Sequence, residues 1–348
     1  MTSRAEHSGK APVGQPVLRC QGLQKVFQTH RRDPGMRGLL RSFVARETIE
    51  VPALRGIDLS IEAGEFVGLI GANGAGKTTL VKVLTGIVPA TQGRSELFGE
   101  PSFELSDAAK SRLSIVMGQR SQLWWDLAPL DSFLLLREIY RVEKSDFDLR
   151  LEQLARRLAV TEQLRIPLRH LSLGQRMRME ILGAFLHRPQ LVFLDEPTIG
   201  LDLVSREEIR TILSEINREQ GATIVLSSHD MEDIENTCRR LLILSEGRLL
   251  YDGDLVKLRE RLFEKRAIEL HLEPHAAEPD PAVLAELCGA DVQLLRSSAG
   301  ALSFAVPAAR VQPFLAQVFA RLAVRDLAIE RTPLDVLVRE LFQREGEG

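Results

Sequence analysis

At 348 residues the chain is longer than one typical hydrophobic core, since single domains commonly run to about 100–200 residues. Hydrophobic residues make up 44% and charged residues 27%, and the net charge is −3, an ordinary soluble balance with no global basic excess that would draw in a nucleic acid. No apolar run approaches the about 18 residues of a membrane span, residues 1–15 contain no apolar signal segment, and Cys20, Cys238 and Cys288 stand too far apart for a metal or redox motif and point to a reducing compartment.

Residues 1–15, rich in Ser, Gly, Pro and charge, read as a disordered tail, and residues 16–260 as a first, larger domain. Val17–Phe27 and Leu54–Ile61 read as an antiparallel pair of strands. The connection between them, 28–52, carries Arg31, Arg32, Arg37, Arg41 and Arg46 against Asp33, Glu47 and Glu50. Leu39, Leu40, Phe43 and Val44 recur there at helical spacing, which predicts a short basic amphipathic helix. Such a helix either folds back on its own domain or sits against a partner or a lipid headgroup surface.

After the turn at Glu62–Glu65, the apolar run Phe66–Ile70 feeds Gly71-Ala72-Asn73-Gly74-Ala75-Gly76-Lys77-Thr78-Thr79, and an apolar-periodic segment follows from Leu80 to Leu84. Strand, glycine-rich turn and helix with G-x-x-x-x-G-K-[ST] spacing make a P-loop. Glycine lets successive backbone N–H groups turn inward on phosphate where a Cβ would clash. The helix adds its unpaired N–H groups and positive dipole end. Lys77 reaches the β- and γ-phosphates as a point charge, and the Thr78 hydroxyl can hold Mg²⁺.

Ser114–Met117 reads as a further strand, and a helix-rich section follows. Ser132–Tyr140 is one predicted helix, and Asp146–Leu158, with Ser145 as N-cap and Leu151, Leu154 and Leu158 on one face, is a second. A third runs from Leu173 to Leu186, opened by Leu171-Ser172-Leu173-Gly174-Gln175; read alone, that opening is either a plain Ser N-cap or a second phosphate clamp at a helix terminus. Leu191–Leu194 and Thr223–Ser227 read as buried strands flanking the helix Ser205–Gln220, so the domain is an α/β fold with a parallel sheet, interrupted by a helical subdomain at about 105–187. At the end of the first of these strands, Asp195 and Glu196 are either an ordinary strand exit or a Mg²⁺ ligand beside a group that faces the attacking water.

From about residue 261 the order becomes strand, helix, hairpin, helix, strand and a last helix from Thr332, which predicts a small ferredoxin-like α+β domain over 261–348.

With those residues in place, 17–255 resembles the nucleotide-binding subunit of an ABC transporter. Gly71–Thr79 resembles Walker A, Leu191–Glu196 Walker B, and Leu171–Gln175 the signature L-S-G-G-Q, with Leu173 where glycine is usual. Gln119 is similar to the Q-loop glutamine, Asp202 in Ile199-Gly200-Leu201-Asp202 to the D-loop aspartate, and His229 to the switch histidine. Phe27 resembles the aromatic residue that stacks on adenine, usually Tyr; by composition alone it equally ends a core strand. Trp124 and Trp125 fall where the family docks its membrane subunit, or else pack the helical subdomain.

The resemblance implies a P-loop NTPase fold with a RecA-like core, an antiparallel β subdomain and a helical subdomain. It implies ATP and Mg²⁺ as cofactors, with Thr78, Asp195 and Gln119 around the metal. Lys77, Glu196, His229 and Gln119 would act in hydrolysis. Two copies, or this chain and a paired ABC ATPase, would enclose two ATP, with Ser172, Gly174 and Gln175 acting across the dimer. A separate multi-span permease on the cytoplasmic face of the inner membrane would be the partner, with no nucleic acid expected. The segment Arg325–Asp335 resembles tails of the type-2 exporter group, which implies export. Alternatives are a soluble ABC ATPase acting on a ribosome or chromosome and an ATP-sensing module without turnover.

Overall fold

The computed structural model describes residues 16–30, 48–117, 121–262, 265–273, 280–289, 291–298 and 300–331. The chain divides into two compact units, Met1–Asp252 and Gly253–Gly348.

In the first unit β1 (Pro16–His30) and β2 (Thr48–Glu62) lead into β3 (Phe66–Ile70) and α1 (Lys77–Leu84). Next come β4 (Gln92–Leu97), β5 (Glu100–Pro101), the single turn α2 (Asp107–Lys110) and β6 (Leu113–Met117). Three helices follow, α3 (Pro129–Ile139), α4 (Lys144–Arg157) and α5 (Leu173–Phe185). The order then runs β7 (Leu191–Asp195), α6 (Leu203–Gln220), β8 (Thr223–Ser227), α7 (Met231–Thr237), β9 (Arg240–Ser245) and β10 (Arg248–Asp254).

These strands form two sheets, one ordered β2-β1-β4-β5 and the other β10-β9-β3-β8-β7-β6. From β9 to β6 every pairing in the second sheet is parallel. Strands β3, β7 and β8 are buried along their whole length, which is why they read as continuous apolar runs rather than alternating ones. Between the sheets α1 is held by its apolar residues: Leu80, Val81, Val83 and Leu84 share one core with Leu18, Leu23, Leu54 and Ile57 of the antiparallel pair and with Val67, Leu69, Leu191 and Phe193. The register sets one row across the sheet, Met117–Asp195–Ser227–Leu69–Leu242, and Glu196, His229 and the Gly71–Thr79 loop follow the strands just beyond it. Ligands in parallel α/β sheets bind at this carboxyl edge.

Two local expectations change. The first strand pair is longer than predicted, continuing outward to His30 opposite Thr48, because Val26, Ile49 and Val51 suit an extended ladder even where they face solvent. The connection thus shortens to 31–47, and the predicted basic helix at Leu39–Val44 lies outside the described residues, as does the 1–15 tail. Helix α4 begins at Lys144, and its N-cap is Glu143, whose carboxylate accepts the Lys144 N–H. Ser145 therefore sits inside the first turn.

Where α5 ends, His187 ties it to the sheet. Its ring stacks on Tyr140 at 3.8 Å between centroids and 3° between planes, and Nε2 lies 3.2 Å from the Leu113 carbonyl of β6. A carbonyl only accepts, so Nε2 carries the proton, and the buried Nδ1 has no hydrogen-bond partner among the described residues. Burial pushes the His187 pKa down to about 4. Below the ordinary value near 6.5 the unfolded chain takes up a proton that the folded one does not, so stability falls as pH falls from about 6.5 toward 4. Between pH 7 and pH 5 the loss expected from this group is about 2 kcal/mol. His187→Gln, which still donates to Leu113 but does not titrate, should flatten that part of the urea-midpoint profile; an unchanged slope would contradict this assignment.

The second unit holds α8 (Leu255–Leu262), β11 (Lys265–Leu272), α9 (Pro281–Cys288), β12 (Gln293–Ser298), β13 (Ala301–Pro307), α10 (Val311–Arg321) and β14 (Val324–Arg331). Its sheet is antiparallel in the order β12-β13-β11-β14, the strand order of a split β-α-β. Ile268, Leu270 and Val306 pack with the helices' Phe314 and Val318, and Phe304 meets Phe314 edge-on at 5.2 Å. The helix predicted from Thr332 lies outside the described residues.

Candidate functional site

The Gly71–Thr79 loop leaves no room for a side chain at its first and last glycines. A Cβ on Gly71 would lie 2.3 Å from the Leu244 carbonyl oxygen of β9, and one on Gly76, whose φ is +105°, would lie 2.7 Å from the Ala53 oxygen of β2. The loop is thus pressed between two sheets and turns its backbone toward the first N–H groups of α1. Asn73 and Thr78 are exposed, while Ala75 and Lys77 are buried. The Lys77 ammonium donates to the Gly71 oxygen at 2.7 Å, which holds the cation inside the loop's curve.

Opposite it, Thr78 Oγ1 donates to Asp195 Oδ2 at 3.0 Å, and Ser227 Oγ donates to Asp195 Oδ1 at 2.5 Å. Two hydroxyls and a carboxylate converge here. Hard oxygen donors of this kind suit Mg²⁺, which keeps several waters and takes its other ligands from phosphate.

Glu196 has φ of +57°, a left-handed conformation that costs a non-glycine residue about 1–2 kcal/mol. The strain is held by its N–H, which donates to the Ser227 carbonyl at 3.1 Å and lies 3.1 Å from the Ser227 hydroxyl. The turn sends the carboxylate toward His229, whose Nδ1 is 2.5 Å from Glu196 Oε2. His229 remains 57% exposed, so its ring is accessible to solvent. Asp195, Glu196 and His229 are thus brought together with Lys77 and Thr78, and Gln119, two residues beyond Met117, lies outside the described residues.

Ser172 caps α5 reciprocally with Gln175: Ser172 Oγ accepts the Gln175 N–H at 3.2 Å, and Gln175 Oε1 accepts the Ser172 N–H at 3.0 Å. Both hydroxyl and amide therefore hold the helix entrance rigid. Gly174 is packed so that a Cβ would lie 3.0 Å from Ser205 Oγ, and Leu173 Cδ2 lies at the same distance from where a Cβ on Gly200 would be. Leu173, where the resemblance leads one to expect glycine, thus rests on the Ile199–Asp202 turn. Asp202 caps α6 by accepting the Ser205 N–H at 2.9 Å and hydroxyl at 2.8 Å, and those bonds hold its carboxyl below the usual carboxylate range.

A buried network beneath these loops was not legible in the sequence. Asp233, fully buried at the start of α7, accepts from Thr198 Oγ1, from Ser228 Oγ at 3.1 Å and from the Arg210 guanidinium at 3.3 Å. Arg206 adds a second tie, donating to the Leu201 carbonyl at 3.0 Å and to Asp230 at 2.5 Å. The Asp202 turn and the His229 loop are thereby fastened to the same two helices.

Phe27 lies on β1 opposite Val51, two positions along β2 from the Ala53 that touches Gly76, and it is 40% exposed rather than closing a core strand. Trp124 and Trp125 are 44% and 50% exposed, which argues against their being core of the helical subdomain.

A family model described as ABC transporter matches residues 54–199. The chain is 30% identical over 210 residues to the ABC transporter ATP-binding protein NatA of Bacillus subtilis, covering 60% of this chain and 85% of that one. It is 30% identical over 217 residues to the linearmycin resistance ATP-binding protein LnrL of the same species (62% and 69% covered), and 31% identical over 242 residues to the methionine import ATP-binding protein MetN 2 of Enterococcus faecalis (67% and 70%). Among solved structures, a dimeric ATP-binding cassette in a post-hydrolysis state bound to ADP and Pi superposes with a TM-score of 0.57 at 23% identity, covering 68% of this chain and 98% of that one, a likeness of fold.

Proposed function

This chain belongs to the ATP-binding proteins of ABC transporters, and on that premise we propose that it hydrolyses ATP in a dimer and drives export through a separate membrane permease. The single observation that supports hydrolysis best is the contact of Glu196 with His229 beside the Lys77–Thr78–Asp195 cluster. Lys77 and the α1 N-terminus bind the β- and γ-phosphates, and Thr78 and Asp195 hold Mg²⁺. Bound there, Mg²⁺ neutralises charge on the phosphate oxygens. Glu196 orients the attacking water, and His229 keeps the carboxylate in place while its exposed ring faces the γ-phosphate. Gln119 completes the set, and Phe27 stacks on the base. With these groups intact, a non-hydrolysing sensor is disfavoured, and nothing in the charge balance favours a ribosomal or chromosomal role.

The permease would dock on the exposed Trp124–Trp125 turn, placing the protein peripherally on the cytoplasmic face of the inner membrane; among the described residues no helix is long and apolar enough to cross a membrane. Export rests on the likeness of Arg325–Asp335 to type-2 exporter tails; one relative is named for linearmycin resistance and another for methionine import.

Ser172 and Gly174 act on ATP held by the other copy, each copy supplying one half of each site. Ser172→Arg and Lys77→Ala damage different halves, so a mixture of the two chains keeps one intact composite site. ATP-dependent dimer should survive in the mixture and disappear from either variant alone. Full activity of Ser172→Arg by itself would exclude a shared site.

A further inference from the structure

The Trp124–Trp125 turn is fastened to the signature helix through a buried carboxylate that the phosphate chemistry does not use. Glu180, two turns into α5 from Ser172, is 6% exposed, and among the described residues no cation pairs with it. Its Oε1 accepts the Ser121 hydroxyl and, at 3.5 Å, the Leu123 N–H, and its Oε2 accepts the Gln122 N–H at 3.1 Å. A carboxylate buried among donors that all belong to one short segment holds that segment and little else. A second tie is independent of it. The Arg176 guanidinium lies 4.8 Å from the Trp125 ring centroid while its Nε donates to the carbonyl of Leu171, the residue before Ser172. Just upstream of the signature, the Arg169 and Leu168 N–H groups donate to the Trp125 and Leu127 carbonyls at 3.1 and 3.0 Å.

We propose that Glu180 and Arg176 are positioning residues that make the Trp124–Trp125 turn and the Ser172 helix cap one body, so that a displacement of either is carried to the other. This rests on the shared-site reading above. Glu180 supplies the rigid link because its three donors fix both position and rotation of the turn, and Arg176 fixes the ring itself. Trp124 and Trp125 are the chain's two tryptophans, so intrinsic fluorescence reports this turn alone.

The test uses the full chain in a Glu196→Gln background and reads two signals on adding Mg-ATP: complex mass and acrylamide quenching of tryptophan emission. With Glu180 present, quenching should change together with dimer formation. Glu180→Gln places an NH₂ donor where an acceptor is needed; it should keep the dimer and lose the ATP-dependent change in quenching, and Glu180→Asp should restore part of it. Should Glu180→Gln not fold, Ser121→Ala, which removes one donor from the exposed side, carries the same expectation with a partial loss. A quenching change that persists in the variants, or a parent that dimerises with no quenching change, would overturn the proposal. A parent that binds ATP and stays monomeric would overturn the shared-site reading, and this inference with it.

Discussion

Replacing Glu196 with glutamine will leave ATP binding in place and stop turnover. The amide has the shape of the carboxylate and can still reach His229 Nδ1, so the strained turn at φ +57° has no cause to rearrange. In the proposed role it loses the negative oxygen that would polarise water, an effect worth about 10²–10⁴-fold in rate. ATP should therefore accumulate in the bound state and hold two copies together, visible as phosphate release falling while the population of dimer rises. Turnover within twofold of the parent would remove Glu196 from the chemistry and point to another base. Lys77 and Thr78 are untouched by this change, so binding and hydrolysis separate cleanly.

Arg210→Met should be the most damaging substitution outside the phosphate site. It leaves Asp233 buried with two hydroxyl donors and no cation, and breaking one side of a buried pair costs about 3–5 kcal/mol. That is a large part of a total stability of about 5–15 kcal/mol. The urea midpoint should fall accordingly. Adding Asp233→Leu removes the orphaned charge, and apolar replacement of both partners is often close to neutral. The double variant should therefore recover much of the stability. Its turnover should stay low, because Thr198 and Ser228, which flank the Asp202 turn and His229, have lost the acceptor that fixed them. Recovery of both stability and turnover would make the network structural only.

The parts of this site that the sequence announces are those whose chemistry admits few residue types. A Cβ on Gly71 or Gly76 would lie 2.3 or 2.7 Å from a carbonyl oxygen, so their spacing could not drift. Strands β3, β7 and β8 were legible for the plain reason that burial on both faces leaves an uninterrupted apolar run. Strands β9 and β10 are not legible in the sequence although β9 pairs directly with β3, because Arg240–Asp254 mixes charges at the ends with a short apolar stretch that is equally compatible with a helix. The buried charged residues were illegible in principle. Glu180, Asp233 and Arg210 sit on helices at ordinary charged positions, and only tertiary packing turns them inward. Likewise Ser145 has the chemistry of a cap, yet Glu143 won it, since helix ends are set by the chain's entry direction as much as by the capping side chain.

The central claim is that each ATP is enclosed by the loop of one copy and the Ser172 cap of another. Native mass measurement of the Glu196→Gln protein saturated with Mg-ATP addresses it most directly. The account predicts a complex of two chains carrying two ATP that falls apart when Ser172 is replaced by Arg, although the monomer still binds nucleotide. A saturated monomer holding one ATP, with no dimer at any protein concentration reached, would contradict it.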